Sequence, residues 1–168
     1  METTKQPLIT VVMPNYNGHR FVEQAIDSVL NQTYPNFELL VVDDCSKDDS
    51  LSLIQHKAQN DKRIKAIALE HNAGVANARN VGIKEARGEY IALLDNDDLW
   101  TEDKLERQLA LANSGADIVY CSYDFIDEQN KSIKKPFIVP QQTNFNKMLA
   151  SSVISCSTSF IKTELMQA

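Results

Sequence analysis

The sequence lacks the cysteine pattern of a disulfide framework or a structural zinc site. Its three cysteines, Cys45, Cys121 and Cys156, are odd in number and show no C-x-x-C spacing. We interpret them as inert thiols of a reducing cytosol. The polar residues 1–7 do not resemble a signal peptide, and no apolar run is long enough to cross a bilayer. The expected location is therefore the cytoplasm.

The chain has fewer basic than acidic residues. The chain has 17 Lys and Arg against 23 Asp and Glu, which gives a net charge of −6. A nucleic-acid partner is therefore not expected, because no basic field faces a phosphate backbone. The same charge disfavours a polybasic membrane surface on this segment. Its 168 residues suit one soluble globular domain, expected over residues 1–168.

Glycine is scarce, and the familiar phosphate-binding loops are absent. The chain contains five glycines, no G-x-G-x-x-G after its first apolar run and no G-x-x-x-x-G-K-[ST] anywhere. The backbone therefore cannot wrap a pyrophosphate in either of those ways. If the chain binds a nucleotide, a metal ion and arginine side chains must offset the phosphate charge.

Short apolar runs alternate with helical patterns along the first 120 residues. Strands are predicted over 8–13, 37–42, 64–69, 90–94 and 117–120. Helices are predicted over 21–30, 51–59, 75–86 and 101–111, with Ser46 and Thr101 as N-caps. This alternation predicts an α/β fold with a mostly parallel central sheet between helices. Residues 127–140 are predicted to be a turn or flexible excursion, followed by a short helix over 145–149 and a last strand over 157–161.

Acidic residues cluster where two predicted strands end. Asp43 and Asp44 follow the second strand, and the Asp95–Asp98 stretch follows the fourth. Wound parallel sheets bind their ligands at the carboxyl ends of the strands. Carboxylates two positions apart, such as Asp95 and Asp97, can hold Mg²⁺ or Mn²⁺ together with substrate phosphates. The alternative interpretation is an acidic turn that only starts a helix, which is the commoner origin of an isolated Asp-x-Asp.

Further polar and aromatic groups are expected at the same edge of the sheet. Residues 14–17 follow the first strand and include Tyr16, whose ring offers a flat face to a base. Asp44 offers a hydrogen-bond acceptor, and Arg79 lies in the helix predicted to open at Gly74. Arg79 has an alternative interpretation as a solvated helix residue. The convergence predicts an α/β enzyme that handles a nucleotide or phosphate.

Two segments resemble family 2 glycosyltransferases of the GT-A fold: residues 9–50, ITVVMPNYNGHRFVEQAIDSVLNQTYPNFELLVVDDCSKDDS, and residues 72–109, NAGVANARNVGIKEARGEYIALLDNDDLWTEDKLERQL. The resemblance covers about residues 7–124, the expected donor-binding portion. It implies a Rossmann-like α/β/α sandwich that binds a nucleoside-diphosphate sugar, with a UDP-sugar as the expected donor. It further implies Mn²⁺ or Mg²⁺, transfer with inversion, and a glycan or lipid-linked acceptor of cell-envelope polysaccharide biosynthesis at the inner face of a membrane.

The resemblance also implies roles for individual residues. Pro14 and Tyr16 match the loop that holds the base, and Asp44 matches the acceptor of a hydrogen bond from the base. Asp43 would support that loop, and Arg79 would lie near base and diphosphate. Asp95 would contact the ribose, Asp97 the metal, and Trp100 the donor sugar, while Asp98 would be structural. The implied donor site comprises Pro14, Tyr16, Asp44, Arg79, Asp95 and Asn96, and the implied metal ligands are Asp97 and Asp95.

The sequence departs from the family pattern at two places. Cys45 stands where glycine is usual, which makes a loop conformation with positive φ less comfortable. The acidic residue that activates the acceptor is expected beyond Ala168, because residues 155–165 resemble the segment just upstream of it. Residues 125–168 are then an incomplete acceptor-side portion, the fold is truncated at its C-terminus, and the chain is expected to bind donor without efficient transfer. Assigning Asp124 as the base would be forced.

Two other functions remain open at this stage. A non-catalytic nucleotide-binding module would have the same rim without a base. A sugar-phosphate nucleotidyltransferase shares the architecture, but residues 14–17 lack the glycine-rich signature expected after its first strand. A missing C-terminal part would expose apolar surface, which predicts self-association, such as a homodimer.

Overall fold

Strands and helices alternate along the chain up to residue 119. The computed structural model describes residues 6–150 and 153–168. The first nine elements are β1 (Ile9–Asn15), α1 (Val22–Leu30), β2 (Phe37–Asp43), α2 (Ser50–Asn60), β3 (Ile64–Ala68), α3 (Val75–Glu85), β4 (Tyr90–Leu93), α4 (Lys104–Asn113) and β5 (Ile118–Val119). The others are β6 (Tyr123–Ile126), β7 (Ser132–Phe137), α5 (Phe145–Ala150), a 3-10 helix (Cys156–Thr158), β8 (Phe160–Lys162) and α6 (Thr163–Met166).

Six strands form one mixed sheet in the order β3-β2-β1-β4-β8-β5. Strands β1 to β4 run parallel to one another, whereas β8 lies antiparallel between β4 and β5. Every residue of β1, β2 and β4 is buried, as expected for strands covered on both faces. The predicted α/β fold with a mostly parallel sheet is confirmed.

The two faces of the sheet pack against different helices. Successive β1 residues, such as Val11 and Val12, point to opposite faces because side chains alternate along a strand. The larger cluster joins one face to α1, α2 and α4 through residues such as Ile26, Ile54 and Leu105. On the other face Ile83 of α3 packs with Val12, Ile91 and Leu93. The result is the expected layered arrangement of helices on both sides of the sheet.

Two predicted helix caps are wrong. Helix α2 starts at Ser50 with Asp49 as its N-cap, and α4 starts at Lys104 with Asp103 as its N-cap. The Ser46 hydroxyl instead donates to Asp43 Oδ1 at 2.5 Å, since the preceding loop draws it toward the end of β2. The Thr101 hydroxyl donates to the Asp103 carboxylate at 3.0 Å. Both hydroxyls lie too far upstream to reach the free N–H groups of the first helical turn.

The prediction of a turn or flexible excursion over 127–140 is correct only for a turn at 127–130, because β7 occupies the following residues. Strands β6 and β7 form an antiparallel hairpin. The rings of Tyr123 and Phe137 stack across it with centroids 5.1 Å apart, and Tyr123 also meets Phe125 edge to face. Cross-strand aromatic pairs of this kind stabilise a two-stranded ribbon. The last predicted strand, 157–161, is divided between the 3-10 helix and β8. Within residues 6–150 and 153–168, no helix has the length and apolar character needed to span a membrane.

Helix α3 lies so close to the sheet that a side chain on Gly82 would collide with it. A Cβ at this position would come within 2.4 Å of Val12 Cγ1 and 3.3 Å of Val42 Cγ2. We expect Gly82→Ala to lower the free energy of unfolding by about 1–3 kcal/mol, the usual cost of overpacking. Denaturant unfolding measures the change. Lys84→Ala, at an exposed position of the same helix, should change stability by no more than about 0.5 kcal/mol, and equal effects would contradict this packing.

Lys104 is buried among apolar groups without a carboxylate partner. Its Nζ donates to Gln108 Oε1 at 2.6 Å and lies 4.0 Å from the centroid of the Trp100 ring. Burial lowers the pKa of Lys104 to about 7, with Cys121 acting in the opposite direction. Between that pKa and the ordinary lysine value, the unfolded chain binds a proton that the folded chain does not.

Stability should therefore rise with pH across that window and fall as pH drops toward 7. The expected contribution of Lys104 is up to about 1.4 kcal/mol per pH unit. Lys104→Met should remove this slope and raise stability at neutral pH, as measured by denaturant unfolding between pH 7 and 10. A variant with the same slope as the unaltered protein would show that Lys104 stays charged in the fold.

Candidate functional site

A cleft of about 420 Å³ opens where β1, β2 and β4 end and α3 begins. The structure brings all seven sequence-predicted site residues to its walls: Pro14, Tyr16, Asp44, Arg79, Asp95, Asn96 and Asp97. Five further lining residues were not predicted: Asn15, Asn72, Gly74, Val75 and Ala78. The cleft lies at the carboxyl ends of the parallel strands, as α/β sheets generally place their sites. The roles of the seven residues remain predictions.

The buried side chain of Asn15 joins three parts of the rim. Its Nδ2 donates to Asp43 Oδ1 at 2.7 Å and to Ser50 Oγ at 3.0 Å. Its Oδ1 accepts from Asn96 Nδ2 at 2.7 Å. One amide thus connects the ends of β1 and β2 with the turn after β4. One N–H of the Asn96 amide, which is predicted to contact the nucleotide, is used in this network.

Asp43 holds the loop after β2. Its carboxylate accepts from the Ser46 backbone N–H at 2.9 Å as well as from Asn15 and the Ser46 hydroxyl. Ser46 Oγ in turn accepts from the Asn17 N–H at 2.9 Å, which ties the loop after β1 to the loop after β2. Asp43 is fully buried, and these hydrogen bonds satisfy its two oxygens. The arrangement agrees with a supporting role for Asp43.

Asp44 is hydrogen-bonded to the backbone at the start of α3. Its two oxygens accept from the backbone N–H groups of Ala73 at 2.9 Å and Gly74 at 2.8 Å. The resemblance predicts a hydrogen bond from a base to the same carboxylate. A carboxylate oxygen accepts more than one hydrogen bond, so both contacts are compatible.

Arg79 points into the site rather than into solvent. Its guanidinium forms an ion pair with Asp95, and the two side chains are 20% and 31% exposed. Its Nε is buried and has no hydrogen-bond partner within residues 6–150 and 153–168. A buried unpaired donor is costly, and an acceptor atom of a ligand in the cleft would satisfy it.

The turn after β4 concentrates negative charge. Asp97 is exposed to the cleft, and Asp95 is partly engaged by Arg79. Desolvation and then the neighbouring charges of Asp97 and Asp95 raise the pKa of Asp98, against a lowering by a hydrogen bond from Ser157. In the described part of the chain, no group of three or more His, Cys, Asp or Glu side chains is placed to hold a metal ion. A divalent ion on Asp95 and Asp97 would therefore need further oxygens from its ligand.

Ser157 supports this turn from the far side, and sequence reasoning did not single it out. Its Oγ accepts from the Asp95 N–H at 3.0 Å, and its carbonyl accepts from Trp100 Nε1 at 2.9 Å. Trp100 is accordingly packed in the core and lies outside the lining of the cleft, and its expected contact with a donor sugar stays a prediction. No local pattern indicates the Ser157 contacts, since the partners are about sixty residues apart in sequence.

Comparison with known proteins identifies relatives of the chain. The family described as "Glycosyl transferase family 2" matches residues 10–166. TuaG of Bacillus subtilis (strain 168), provisionally named a teichuronic acid biosynthesis glycosyltransferase, is 34% identical over 96% of this chain and 65% of its own length. WfgD of Escherichia coli, named a UDP-Glc:alpha-D-GlcNAc-diphosphoundecaprenol beta-1,3-glucosyltransferase, is 40% identical over 90% of this chain and 58% of its own length. The chain thus spans less than two thirds of either relative.

Solved structures show the same fold. S. aureus TarS 1–349 in complex with UDP-GlcNAc matches with a TM-score of 0.79 and 26% identity, over 95% of this chain and 46% of that one. The mannosyltransferase PcManGT of Pyrobaculum calidifontis, in complex with GDP-Man and Mn²⁺, matches with a TM-score of 0.73 and 23% identity, over 98% of this chain and 47% of that one. At that lower identity the second similarity concerns the fold alone. The fold that the resemblance implied is confirmed.

The loop of Asp43 and Asp44 contains a backbone conformation that favours glycine. Cys45 adopts φ 61°, a left-handed conformation that costs a residue with a side chain about 1–2 kcal/mol. Replacing Cys45 with glycine would remove this cost, but the greater freedom of glycine in the unfolded chain would offset about 0.4–1 kcal/mol of the stabilisation. We therefore expect Cys45→Gly to raise the free energy of unfolding by up to about 1 kcal/mol. Cys45→Ala removes the thiol but keeps the strain, so stabilisation by both variants in denaturant unfolding would contradict this account.

Proposed function

The chain belongs to glycosyl transferase family 2, and on that premise we propose that its cleft binds the nucleoside diphosphate of a sugar donor, with a UDP-sugar as the expected donor. One observation carries the proposal. The cleft joins an exposed aromatic ring, an arginine whose buried Nε has no partner among the described residues, and the carboxylates of Asp95 and Asp97. These groups are complementary to a base, a diphosphate and a bridging cation, in that order.

The base would bind at the β1 side of the cleft. Tyr16 is 47% exposed, so its ring is free to stack on a base, and Pro14 lies beside it in the lining. Asp44 is fixed by its two backbone hydrogen bonds, which would hold its free lone pairs toward the base without further ordering. Arg79 would direct its unpaired Nε to a phosphate or base oxygen.

A divalent cation, Mn²⁺ or Mg²⁺, would be held by Asp97 and Asp95 at the opposite end. The donor set fits a hard ion, because both ligands are carboxylates and the diphosphate supplies further oxygens. When bound, such an ion offsets the negative charge on the departing diphosphate. Arg79 would partly neutralise the negative charge of Asp95, with which it already forms an ion pair.

The reaction of the whole protein would be a direct displacement at the anomeric carbon with inversion. We assign donor binding to about residues 7–124 and the acceptor side to residues 125–168. Asp44, Asp95 and Asp97, the carboxylates that line the cleft, all have donor-side assignments. We therefore assign none of these three as the base that activates the acceptor hydroxyl.

The names of two relatives support an acceptor class. The name of WfgD specifies a diphosphoundecaprenol-linked sugar as its acceptor, and the name of TuaG refers to teichuronic acid biosynthesis. We propose a glycan or lipid-linked acceptor and a cytoplasmic site of action at the inner face of the membrane. Self-association of the chain, such as a homodimer, stays a prediction that light scattering can test; exposed Ile133 and Ile138 on and beside β7 would favour it.

Calorimetric titration of UDP with and without Mn²⁺ tests the donor site. We expect Mn²⁺ to strengthen UDP binding. Asp97→Ala should weaken the metal-dependent part of the affinity by at least about 10- to 100-fold, because the loss of a group that only supports a metal ligand already costs that much. The control is Glu89→Ala, which removes an exposed carboxylate just before β4, at the opposite end of the sheet. If the folded protein binds none of UDP, GDP and TDP, the proposed donor site is wrong.

A further inference from the structure

The segment before β8 lies beside the turn that carries Asp95 and Asp97. Strand β8 is antiparallel to β4, with Ala92 paired to Phe160. The residues that precede β8 therefore lie at the carboxyl end of β4, where the turn begins. Ser157 belongs to the 3-10 helix in this segment and is 7% exposed.

Ser157 holds the turn at two points. The Asp95 N–H donates to its hydroxyl oxygen at 3.0 Å, and Trp100 Nε1 donates to its carbonyl at 2.9 Å. The hydroxyl and the carbonyl of one residue therefore hold the start of the acidic stretch and the tryptophan that follows it.

The segment around Ser157 is itself fixed. The Thr158 carbonyl accepts from Gln108 Nε2 of α4 at 2.8 Å, and the Thr158 hydroxyl donates to the Ser155 carbonyl at 2.7 Å. The Ser159 hydroxyl donates to the Cys156 carbonyl at 2.7 Å. The Ser157 hydroxyl is therefore held in place before any ligand binds.

The turn is supported from two sides, and only one support lines the cleft. Asn15 holds Asn96 from the β1 side and is part of the cleft wall, whereas Ser157 is outside it. We propose that Ser157 is a positioning residue for the metal: its hydroxyl sets the backbone of Asp95 and so the turn from which Asp95 and Asp97 present their carboxylates. This inference rests on the proposed donor site.

Titration of UDP with and without Mn²⁺ into Ser157→Ala tests the inference. The variant loses the acceptor for the Asp95 N–H but no group that lines the cleft. We expect the strengthening of UDP binding by Mn²⁺ to fall about tenfold, as for other indirect supports of a metal, while affinity for UDP alone stays unchanged. Ser157→Thr, which keeps the hydroxyl, should restore most of the metal effect. Ser159→Ala, which removes a hydroxyl used only within the segment, should behave as the unaltered protein.

The outcomes separate this inference from the proposed function. If the unaltered protein shows no metal-dependent UDP binding, the proposed metal site fails and Ser157 has nothing to position. If it does and Ser157→Ala keeps the full metal effect, only the role of Ser157 is overturned. An equal loss of affinity with and without Mn²⁺ would reduce Ser157 to a structural residue. Should Ser157→Ala not fold, Ser157→Cys keeps the volume with a much weaker acceptor and decides the question in its place.

Discussion

The buried amide of Asn15 is the interaction on which the rim of the cleft depends. It has acceptors on three sides, Asp43, Ser46 and Ser50, and it accepts from Asn96. Loss of a partner would leave buried polar groups unpaired, at a cost of about 1–3 kcal/mol each. The loops after β1, β2 and β4 therefore have to stay together, since none can move without breaking a hydrogen bond of this one side chain.

Around that amide, the carboxylates of the rim differ in how their charge is stabilised. Asp43 and Asp44 are almost fully buried, and hydrogen bonds from backbone, hydroxyl and amide groups stabilise them. Asp95 is paired with Arg79. Asp97 is exposed to the cleft, and desolvation, followed by the charges of Asp97 and Asp95, raises the pKa of Asp98. Buried carboxylates thus serve the architecture, whereas the exposed one remains available to a cation that a phosphorylated ligand would help to hold.

The antiparallel direction of β8 determines which residues support this rim. A parallel strand at the same place would bring its carboxyl end, not the residues before it, to the end of β4. The antiparallel direction instead places Ser157 against Asp95 and joins the acidic turn to Trp100 and the core. Residues far along the chain thereby support a turn whose local sequence contains only acidic and small polar groups.

Local sequence determined much of this protein. The apolar runs predicted four parallel strands within two residues of their ends, because strands buried on both faces need such runs. Asp44, Arg79 and Asp95 were predicted at one rim because parallel strands end at the same edge. Other features required the tertiary structure: the Asn15 network, the support from Ser157, the core position of Trp100 and the β6–β7 hairpin. Each depends on contacts between groups distant in sequence, and the period of hydrophobic residues carries no information about such partners. Arg79 combines the two: its place in the sequence predicted it at the site, but only packing buries its Nε without a partner in the part of the chain that the structure describes.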